Sequence, residues 1–327
     1  AGAVGRQVVN LLEARRFPVG ELRLLATKRS AGEVIPFRGE PHTVVETEPE
    51  RFEGVDLVFL AAGTGASREL APEAVRRGAV VIDKSNAFRM DPEVPLVVPE
   101  VNPDAAADHK GIVASPNCST IQMVVAVKPL ADRAGLRRLL VSTYQSVSGS
   151  GQEAILELQR ESESVLNGEE GGAAVYPHPI AFNVLPHIDT FCENGYTQEE
   201  MKMTNETRKI LGDPDLPVSA TAVRVPVFVG HSEAVLVETE EPLSVEAARE
   251  ALRGAPGVVL EDDPTENRYP LPIRAAGRDE VFVGRIRKDL TCENGLHLWV
   301  VADNLRKGAA TNAIQIAELL IERGWLP

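Results

Sequence analysis

Short apolar runs alternate with helical periodicity in the first third of the chain. Residues 56–62 and 79–83 are continuous apolar runs of the kind that form buried parallel strands, and a helical pattern over 66–77 separates them. Two further strands are predicted over 95–101 and 112–115. Strands that alternate with helices at this spacing indicate βαβ units, so this part of the chain predicts a doubly wound α/β domain.

The second half of the chain carries longer strands, many of which alternate polar and apolar residues. They are predicted over 139–147, 218–229, 233–241, 281–288 and 296–302. Alternation is typical of antiparallel strands with one buried face, whereas parallel strands buried on both faces are apolar throughout. We therefore expect a mixed or antiparallel sheet in a second domain of the α+β class.

The change of pattern also predicts where the domains divide. We predict a first domain over 1–118, with the C-terminal segment 305–327 packed back on it, and a second domain over 119–304. An amphipathic helix over 307–323 accounts for that return. The stretch 167–195 is rich in Gly, Pro and His and predicts an insertion or a contact between subunits.

Composition and charge exclude several classes of protein. A chain of 327 residues with 43% hydrophobic content can bury more than one core. The formal net charge of −14 argues against nucleic-acid and anionic-membrane partners, although local arginines can still bind an anionic substrate. Three widely spaced cysteines form neither a disulfide framework nor a metal site. Since the chain has no transmembrane-length apolar run and no signal peptide, we expect a cytoplasmic protein.

A glycine turn, Ala1-Gly2-Ala3-Val4-Gly5, leads directly into a helical pattern. Such a turn presents backbone N–H groups and the positive end of the helix dipole, which together suit a pyrophosphate. In Rossmann-type dinucleotide-binding domains the turn follows a buried strand, so we expect about ten further residues before this point. A packed turn without a ligand remains the alternative.

The residues after the next predicted strand bear on the choice of dinucleotide. That strand, over 21–27, ends in Thr27-Lys28-Arg29-Ser30, with no acidic residue at its tip. An acidic residue there would accept a hydrogen bond from a ribose 2′-hydroxyl, whereas basic and hydroxyl groups suit a 2′-phosphate. The pattern favours NADP over NAD, with a solvated basic loop as the alternative.

Cys118 lies where a predicted strand gives way to a helix, directly after Asn117. The pKa of a thiol is lowered at a helix N-terminus, and the N–H groups there can hold an oxyanion. A thiolate of this kind attacks an aldehyde, the thiohemiacetal loses hydride to a nicotinamide, and phosphate or water cleaves the resulting thioester. For Cys192 and Cys292 we expect ordinary small buried residues.

His231 and Arg224 are candidates for the base and the anion site that this chemistry needs. They are seven residues apart, and an odd spacing places two side chains on opposite faces of an unbroken strand. Pro226 and Gly230 lie between them and allow a bend. A shared site requires that bend, and two polar residues on an exposed strand are the alternative.

Glu199 and Lys202 are three residues apart in a predicted helix and so share one face. Such a pair is usually an ordinary surface ion pair. It could also be a clamp in which the carboxylate holds an ammonium and the lysine holds a phosphate. Arg89 is a further lone arginine, and its simplest interpretation is a side chain that points into solvent.

Taken together, these segments resemble the aspartate-β-semialdehyde dehydrogenase family. The motifs that carry the resemblance are 85–89 (SNAFR), 94–102 (VPLVVPEVN), 115–120 (SPNCST), 143–149 (TYQSVSG), 181–187 (AFNVLPH), 224–227 (RVPV), 231–233 (HSE) and 303–310 (DNLRKGAA). The ordered set is far more specific than any one motif. One departure is the start of the chain, where the family has a strand and usually a threonine before the second glycine.

The resemblance implies a role for each candidate residue. Cys118 would be the nucleophile that forms the acyl thioester, His231 the acid and base, and Gln145 the residue that orients the substrate beside the thiol. The substrate's α-carboxylate would be held by Arg224 and its ammonium by Glu199. The remaining implied contacts are with phosphate, through Arg89, Asn117 and Lys202, and with NADP, through Ala1, Gly2, Ala3, Val4, Arg29, Ser30, Ser148, Gly149 and Asn304.

The family's reaction converts aspartyl phosphate and NADPH to aspartate semialdehyde, phosphate and NADP, and it runs in either direction. It serves the synthesis of lysine, threonine and methionine. The resemblance also implies a homodimer whose subunits each have a Rossmann-type domain and an α+β domain that carries the catalytic groups and the interface. No metal is implied.

Three rival interpretations remain. N-acetyl-γ-glutamyl-phosphate reductase uses the same thiolate chemistry, but its acylated amine would not need an acidic clamp such as Glu199. Glyceraldehyde-3-phosphate dehydrogenase would show a different cysteine context and usually an acid at the ribose position. A non-catalytic NADP-binding sensor would have lost the nucleophile, the base or the clamp, and this chain has candidates for all three.

Overall fold

A computed structural model describes residues 2–169 and 172–326, and it divides into two compact units. The first unit comprises residues 1–116 and 309–327, and the second comprises Asn117–Gly308. The helices are α1 (Ala3–Ala14), α2 (Thr64–Arg76), α3 (Cys118–Ala134), α4 (Gln152–Leu166), α5 (Gln198–Leu211), α6 (Val245–Leu252), α7 (Pro272–Ala275) and α8 (Thr311–Glu322).

The strands differ in length between the two units, with the long ones in the second. They are β1 (Leu25–Ala26), β2 (Val34–Phe37), β3 (Glu40–Thr43), β4 (Val45–Glu46), β5 (Leu57–Leu60), β6 (Val80–Asp83), β7 (Ile112–Ala114), β8 (Arg138–Gln145), β9 (Val218–Arg224), β10 (His231–Glu238), β11 (Val258–Leu260), β12 (Val281–Lys288) and β13 (Gly295–Ala302). None of the helices in the described part of the chain is long and apolar enough to cross a membrane.

The first unit is built around the parallel strands β5, β6 and β7, which lie in that order. All four residues of β6 are buried, as its continuous apolar sequence predicts for a strand covered on both faces. β1 pairs in parallel with β4 in a separate ladder. The predicted α/β class of this part of the chain is therefore confirmed.

Two predicted strands of the first unit are wrong in extent. Over 95–101 only Leu96 forms a bridge, to Ala114. The extended chain still runs beside β7, but Pro95 and Pro99 have no N–H to donate to a ladder. Over 21–27 only Leu25–Ala26 is regular strand.

The C-terminal helix α8 is a core element of the first unit. Ile314, Ile316 and Leu320 are fully buried and share one hydrophobic cluster with Leu11 and Leu12 of α1. The helix predicted over 307–323 is present, but its first turn, Arg306–Ala310, is π-helical and continues directly into α8. Asn312 at the start of α8 is buried, and its Nδ2 donates to the Val97 carbonyl at 3.1 Å and to Ser115 Oγ at 3.0 Å.

The second unit is a mixed sheet of six strands in the order β11-β12-β13-β10-β8-β9. β8 is parallel to β9 and antiparallel to β10, which confirms the predicted mixed sheet. Alternate residues of β8 and β9 are buried, whereas the first three residues of β10, 231–233, are all buried. The register aligns Thr143 with Ala222 and Glu233, and Gln145 with Arg224. One buried face of the sheet therefore carries the polar candidates of all three strands.

Replacing Asn312 tests how firmly α8 is anchored. Because Asn312→Ala removes both hydrogen bonds of a buried amide, we expect the free energy of unfolding to fall by about 1–3 kcal/mol. Urea denaturation would measure it. Glu322→Ala, at an exposed position on the same helix, is the control and is expected to change it by less than about 0.5 kcal/mol. Equal effects of the two substitutions would contradict the anchoring role.

Candidate active site

Cys118 is the first residue of α3, and the preceding residue caps the helix. Asn117 Oδ1 accepts from the backbone N–H groups of Ser119 and Thr120, at 3.0 and 3.5 Å. Gly308 lies against the cysteine so closely that an added Cβ would come within 2.8 Å of the Cys118 Cβ. The cap and the glycine together fix the thiol at the helix N-terminus that the sequence predicted for it.

Glu199 connects three structural elements through its carboxylate. It accepts from Asn117 Nδ2 at 3.0 and 3.1 Å, from Gln145 Nε2 at 3.1 Å and from Lys202 Nζ at 3.4 Å. Lys202 also pairs with Asp189 at 2.6 Å. Because Glu199 is only 5% exposed, the pair with Lys202 is not the ordinary surface ion pair that its spacing first suggested.

Arg224 and His231 come together in spite of their odd spacing. β9 ends at Arg224 and β10 begins at His231, and the two strands lie on opposite sides of β8. No continuous strand therefore joins the two residues, as the prediction required. Gly230, with φ of 97°, contributes to that break. An added Cβ at Gly149 would lie 3.0 Å from Arg224 Nη1 and 3.2 Å from His231 Nε2, so one backbone segment contacts both side chains.

The hydrogen bonds of His231 define which ring nitrogen carries the proton. The backbone N–H of Ser146 donates to Nδ1 at 3.1 Å, so the neutral ring carries its proton on Nε2. Nε2 itself has no partner among the described residues. Burial lowers the pKa of His231 well below the ordinary value for histidine, and the Arg224 cation lowers it further. The free protein therefore presents a neutral imidazole whose Nε2–H can donate.

Asn304 holds together the backbone and side chains beside this imidazole. Its Oδ1 accepts from Ser146 Oγ, Ser148 Oγ and the Gly230 backbone N–H, each at 3.0 Å. Arg224 Nη1 donates to the Ser146 carbonyl at 2.8 Å. Arg224 Nε is buried and has no hydrogen-bond partner in the described part of the chain. The segment 146–149 is thus hydrogen-bonded to Arg224 at the end of β9 and to His231 at the start of β10.

Several candidates belong to the first unit. Arg89 is buried, and it donates to the carbonyls of Ser115 at 3.0 Å and Lys84 at 2.8 Å, so it is not the solvent-exposed arginine of the simplest interpretation. Gly2 is the N-cap of α1, and Ala3 and Val4 begin that helix. Arg29 is exposed and Ser30 half-buried in a 3₁₀ turn, Lys28–Ser30. Ala1 lies outside the described residues.

Some polar residues of the site were not predicted from the sequence. Glu206 accepts from the Asn117 backbone N–H at 2.7 Å. It lies seven residues after Glu199 on α5, a helical spacing that would have placed it on the same face. Ser146 directly follows Gln145, and Asp303 caps the turn after Asn304 by accepting from the backbone N–H groups of 305 and 306.

The other two cysteines differ from what the sequence predicted. Cys192 and Cys292 are partly exposed, so the expectation that they are small buried residues is wrong. Cys192 lies in a tight loop in which its backbone N–H donates to the Tyr196 carbonyl at 2.7 Å. In residues 2–169 and 172–326 no three His, Cys, Asp or Glu side chains group as a metal site.

Gly149→Ala tests the close approach of this backbone to Arg224 and His231. The added methyl group would displace both side chains by a few tenths of an ångström, so we expect kcat/KM to fall about tenfold, as small misplacements in active sites do. Steady-state kinetics would measure it. Gly172→Ala is the control, because an added Cβ there meets nothing within 4 Å. Unchanged kinetics for Gly149→Ala would show that the site tolerates the displacement.

The pH dependence of stability tests the buried neutral imidazole. His231 binds a proton near pH 6.5 in the unfolded chain but only at lower pH in the folded protein, since its folded pKa is lowered. Its contribution to stability is therefore full above about pH 6.5 and decreases as the pH falls, by up to about 1.4 kcal/mol per pH unit.

Urea denaturation between about pH 7 and pH 5 would measure this contribution. We expect His231→Gln to lose less free energy of unfolding over this interval than the unsubstituted protein loses. His178→Gln, at an exposed position, serves as the control and should keep the original slope. Identical slopes for all three proteins would mean that His231 titrates normally in the folded state.

Comparison with known proteins matches the two parts of the chain to two family models. Residues 1–109 match the model described as "Semialdehyde dehydrogenase, NAD binding domain", and residues 127–307 match "Semialdehyde dehydrogenase, dimerisation domain". The aspartate-semialdehyde dehydrogenase of Aquifex aeolicus (strain VF5) is 57% identical over 327 residues, which cover 99% of this chain and 96% of that protein.

Solved structures agree with these matches. The crystal structure of aspartate semialdehyde dehydrogenase II from Vibrio cholerae complexed with ASA has a TM-score of 0.94 and 47% identity, over 98% of this chain and 96% of that chain. The Candida albicans enzyme, solved with NADP, has a TM-score of 0.76 and 26% identity, over 98% and 96% of the two chains. The chain therefore belongs to the aspartate-semialdehyde dehydrogenase family, and its first part is a nicotinamide dinucleotide-binding domain.

Proposed function

We propose that this protein catalyses the reversible, NADPH-dependent reductive dephosphorylation of L-4-aspartyl phosphate to L-aspartate 4-semialdehyde. In cells this step would supply lysine, threonine and methionine synthesis. The observation that carries the proposal is the polar cluster at the start of α3. It links a cysteine at a helix N-terminus, through Asn117 and Glu199, to Gln145, and it lies on the sheet face that bears a neutral His231 beside Arg224.

Cys118 is proposed as the nucleophile. The N-terminus of α3 favours a thiolate, because the helix dipole and the backbone N–H groups there stabilise negative charge. The Sγ–C bond forms as the thiolate attacks the acyl phosphate, and the C–O bond to phosphate breaks with its electron pair leaving on phosphate. The product of this step is a thioester on Cys118.

The first unit fits a bound dinucleotide at the start of α1. Gly2, the N-cap residue of that helix, has no side chain that could hydrogen-bond to the N–H groups of the first turn, and no acidic residue lies in that turn. An added Cβ at Gly2 would meet no atom within 4 Å. We propose that Gly2, Ala3, Val4, Arg29 and Ser30 hold the cofactor, as Ala1 would, and that Ser148, Gly149 and Asn304 contact its nicotinamide end. A nicotinamide bound there would supply the hydride that reduces the thioester.

NADP is the proposed form of the cofactor. No acidic residue stands at 27–30, and Arg29 is exposed with no carboxylate partner among the described residues, so a cation is available for a 2′-phosphate. The Candida albicans relative with NADP supports the same choice. The family model is described as NAD binding, and the choice between the two dinucleotides is part of the experiment below.

His231 is proposed to act through Nε2. Because Nδ1 accepts from Ser146, the proton of the neutral ring is on Nε2, where it can donate to the oxyanion of the thiohemiacetal. When this species collapses, the C–S bond breaks, its electron pair returns to Sγ, and the aldehyde is released. In the opposite direction the same nitrogen stabilises the same oxyanion.

Charges around the thiol would select the amino acid part of the substrate. Arg224 is buried, and its Nε has no hydrogen-bond partner among the described residues. The guanidinium therefore has a donor left for the substrate's α-carboxylate. Glu199 is proposed to bind the α-ammonium, and Gln145, already bonded to Glu199, to orient the carbonyl beside the thiol. Arg89, Asn117 and Lys202 are the proposed phosphate ligands.

A homodimer is the proposed assembly. The family model for the second part of the chain is described as a dimerisation domain. Phe182, Val184 and Phe191, in the stretch expected to form a subunit contact, are 65%, 58% and 64% exposed, and an apolar surface of this kind favours burial against another chain. The cytoplasmic location stays a prediction from the sequence.

Enzyme assays would test the function directly. With aspartate semialdehyde, phosphate and NADP, we expect formation of reduced nicotinamide that requires phosphate and is slower with NAD. Cys118→Ala is expected to lower kcat by at least about a thousandfold without changing the melting temperature, since it removes the covalent route. Cys192→Ala is the matched control and should retain activity.

Each arm of the assay addresses a separate part of the proposal. A rate that does not depend on phosphate would exclude the acyl phosphate as reactant. A preference for NAD would overturn the proposed cofactor alone. Substantial activity of Cys118→Ala would exclude the thioester, and a folded protein without activity would exclude this substrate.

A further inference from the structure

The carboxylate of Asp303, directly after β13, accepts hydrogen bonds from three backbone N–H groups. Oδ1 accepts from Leu305 at 2.8 Å and from Arg306 at 3.1 Å, and Oδ2 accepts from Gly277 at 2.7 Å. The residue is 2% exposed. Three donors compensate for the water that a buried carboxylate loses, so this side chain fixes the turn that follows β13. The proposed mechanism gives Asp303 no role.

The backbone of Asp303 also determines where Gly308 lies. The Gly308 N–H donates to the Asp303 carbonyl at 3.1 Å, across five residues, which is the hydrogen bond expected of the π-helical turn Arg306–Ala310. The side chain of Asp303 thus holds the start of the turn, and its carbonyl holds the middle. The position of Gly308 therefore depends on Asp303.

Gly308 packs directly on the first residue of α3. A Cβ added at Gly308 would lie 2.8 Å from Cys118 Cβ, 3.3 Å from Cys118 Cα and 3.5 Å from the Cys118 carbonyl oxygen. None of these three atoms can turn away through a change of side-chain rotamer. A residue without a side chain at 308 is therefore what allows the turn to lie against the backbone that bears the thiol.

The next residue, Asn304, acts on the other side of the site. Its Oδ1 accepts from the Gly230 backbone N–H and from Ser146 Oγ, each at 3.0 Å. The Ser146 backbone N–H in turn donates to His231 Nδ1 at 3.1 Å. Two consecutive residues after β13 therefore connect to the backbone beside Cys118 and to the backbone beside His231.

We propose that Asp303 is a positioning residue for the Cys118 thiol. By fixing the turn over 305–308 it holds Gly308 against Cys118 and keeps Sγ at the N-terminus of α3. The carboxylate acts through the backbone of this turn and is given no contact with substrate or cofactor. This inference rests on the role of nucleophile that the proposed function gives to Cys118.

Three variants test this arrangement: Asp303→Ala, Asp303→Asn and Gly308→Ala. They are made in a Cys192→Ser/Cys292→Ser background, which leaves Cys118 as the one thiol of the three in the chain. The readouts are kcat, KM, melting temperature and the pH dependence of Cys118 alkylation by iodoacetamide. Alkylation reports on the thiol itself, which a purely structural role of Asp303 would leave unchanged.

Two matched controls, made in the same background, lie near the other end of β13. Asp289→Ala removes a carboxylate whose side chain is 7% exposed and whose Oδ1 accepts from the Thr291 backbone N–H at 2.7 Å. Gly295→Ala adds a methyl group 2.7 Å from Asp289 Cβ. Both controls should lower the melting temperature and leave kcat and the alkylation curve unchanged.

Gly308→Ala and Asp303→Ala should lower kcat about 10- to 100-fold and keep KM within about threefold, because a small misplacement of a reacting group slows the reaction more than it weakens binding. Both should move the midpoint of the alkylation curve to higher pH by about 0.2–0.7 unit, since the thiol leaves the helix terminus that stabilises its anion.

Asp303→Asn should restore most of the kcat that Asp303→Ala loses, together with the original alkylation curve. Its Oδ1 can still accept from the backbone N–H groups of 305 and 306. Its Nδ2 would face the Gly277 N–H, donor against donor, so a lower melting temperature is expected to remain.

Two results would overturn the inference. If Asp303→Ala and Gly308→Ala behave like the controls and lose only melting temperature, Asp303 and Gly308 serve folding alone. If Asp303→Asn is as slow as Asp303→Ala, the hydrogen bonds to 305 and 306 do not set the position of the thiol. Should Asp303→Ala fail to fold, Gly308→Ala decides the question, because it removes no hydrogen-bonding group of Asp303.

The design also separates this inference from the proposed function. Alkylation of Cys118 and thermal melting need neither substrate nor cofactor. If the unsubstituted protein does not turn over aspartate semialdehyde, the proposed function fails, while the alkylation curves still decide whether Asp303 and Gly308 position the thiol.

Discussion

The buried carboxylate of Glu199 is the interaction on which the polar interior of the second unit depends. A charge that is 5% exposed is tolerated only when it is paired and fully hydrogen-bonded, and here one lysine and two amides supply those bonds. Each donor belongs to a different stretch of chain: Asn117 before α3, Gln145 at the end of β8 and Lys202 on α5. One carboxylate therefore holds in register the helix that begins with Cys118 and the strand beside His231.

The register of the strands brings the other polar side chains of the second unit onto one face of its sheet. Because side chains alternate along a strand, the pairing of Gln145 with Arg224 and of Thr143 with Glu233 places all four on one face. A slip of one residue would turn every one of them to the other face. The polar cluster and the apolar rows deeper in the sheet are thus set by the same hydrogen-bond ladder, and neither can be rearranged without the other.

The sequence predicted the mixed sheet, the helix N-terminus at Cys118 and the helical pair of Glu199 and Lys202, because each follows from a local pattern. It overestimated the strand over 95–101, because the prediction followed the apolar run and gave too little weight to Pro95 and Pro99, which have no N–H to donate to a ladder. The burial of Arg89 was also not predictable, because its partners are backbone carbonyls rather than residues with a charge pattern.

Other features of the site depend on distant contacts and leave no local signal. The tautomer of His231 is set by the backbone N–H of Ser146, 85 positions away in the chain. Alternation marks Glu233 as facing inward but says nothing of whether its carboxyl carries a proton. Patterns therefore located the residues, while their states of protonation and orientation required the three-dimensional contacts.

The backbone at Gly149 has a consequence for how such a site can change during evolution. The same segment contacts the guanidinium proposed to recognise the substrate and the imidazole proposed to serve the reaction. An inherited change that reshapes this segment for a longer or shorter substrate would also move the imidazole. Recognition and reactivity are therefore expected to diverge together across descendants, and new specificities should arise more readily from substitutions outside 146–149.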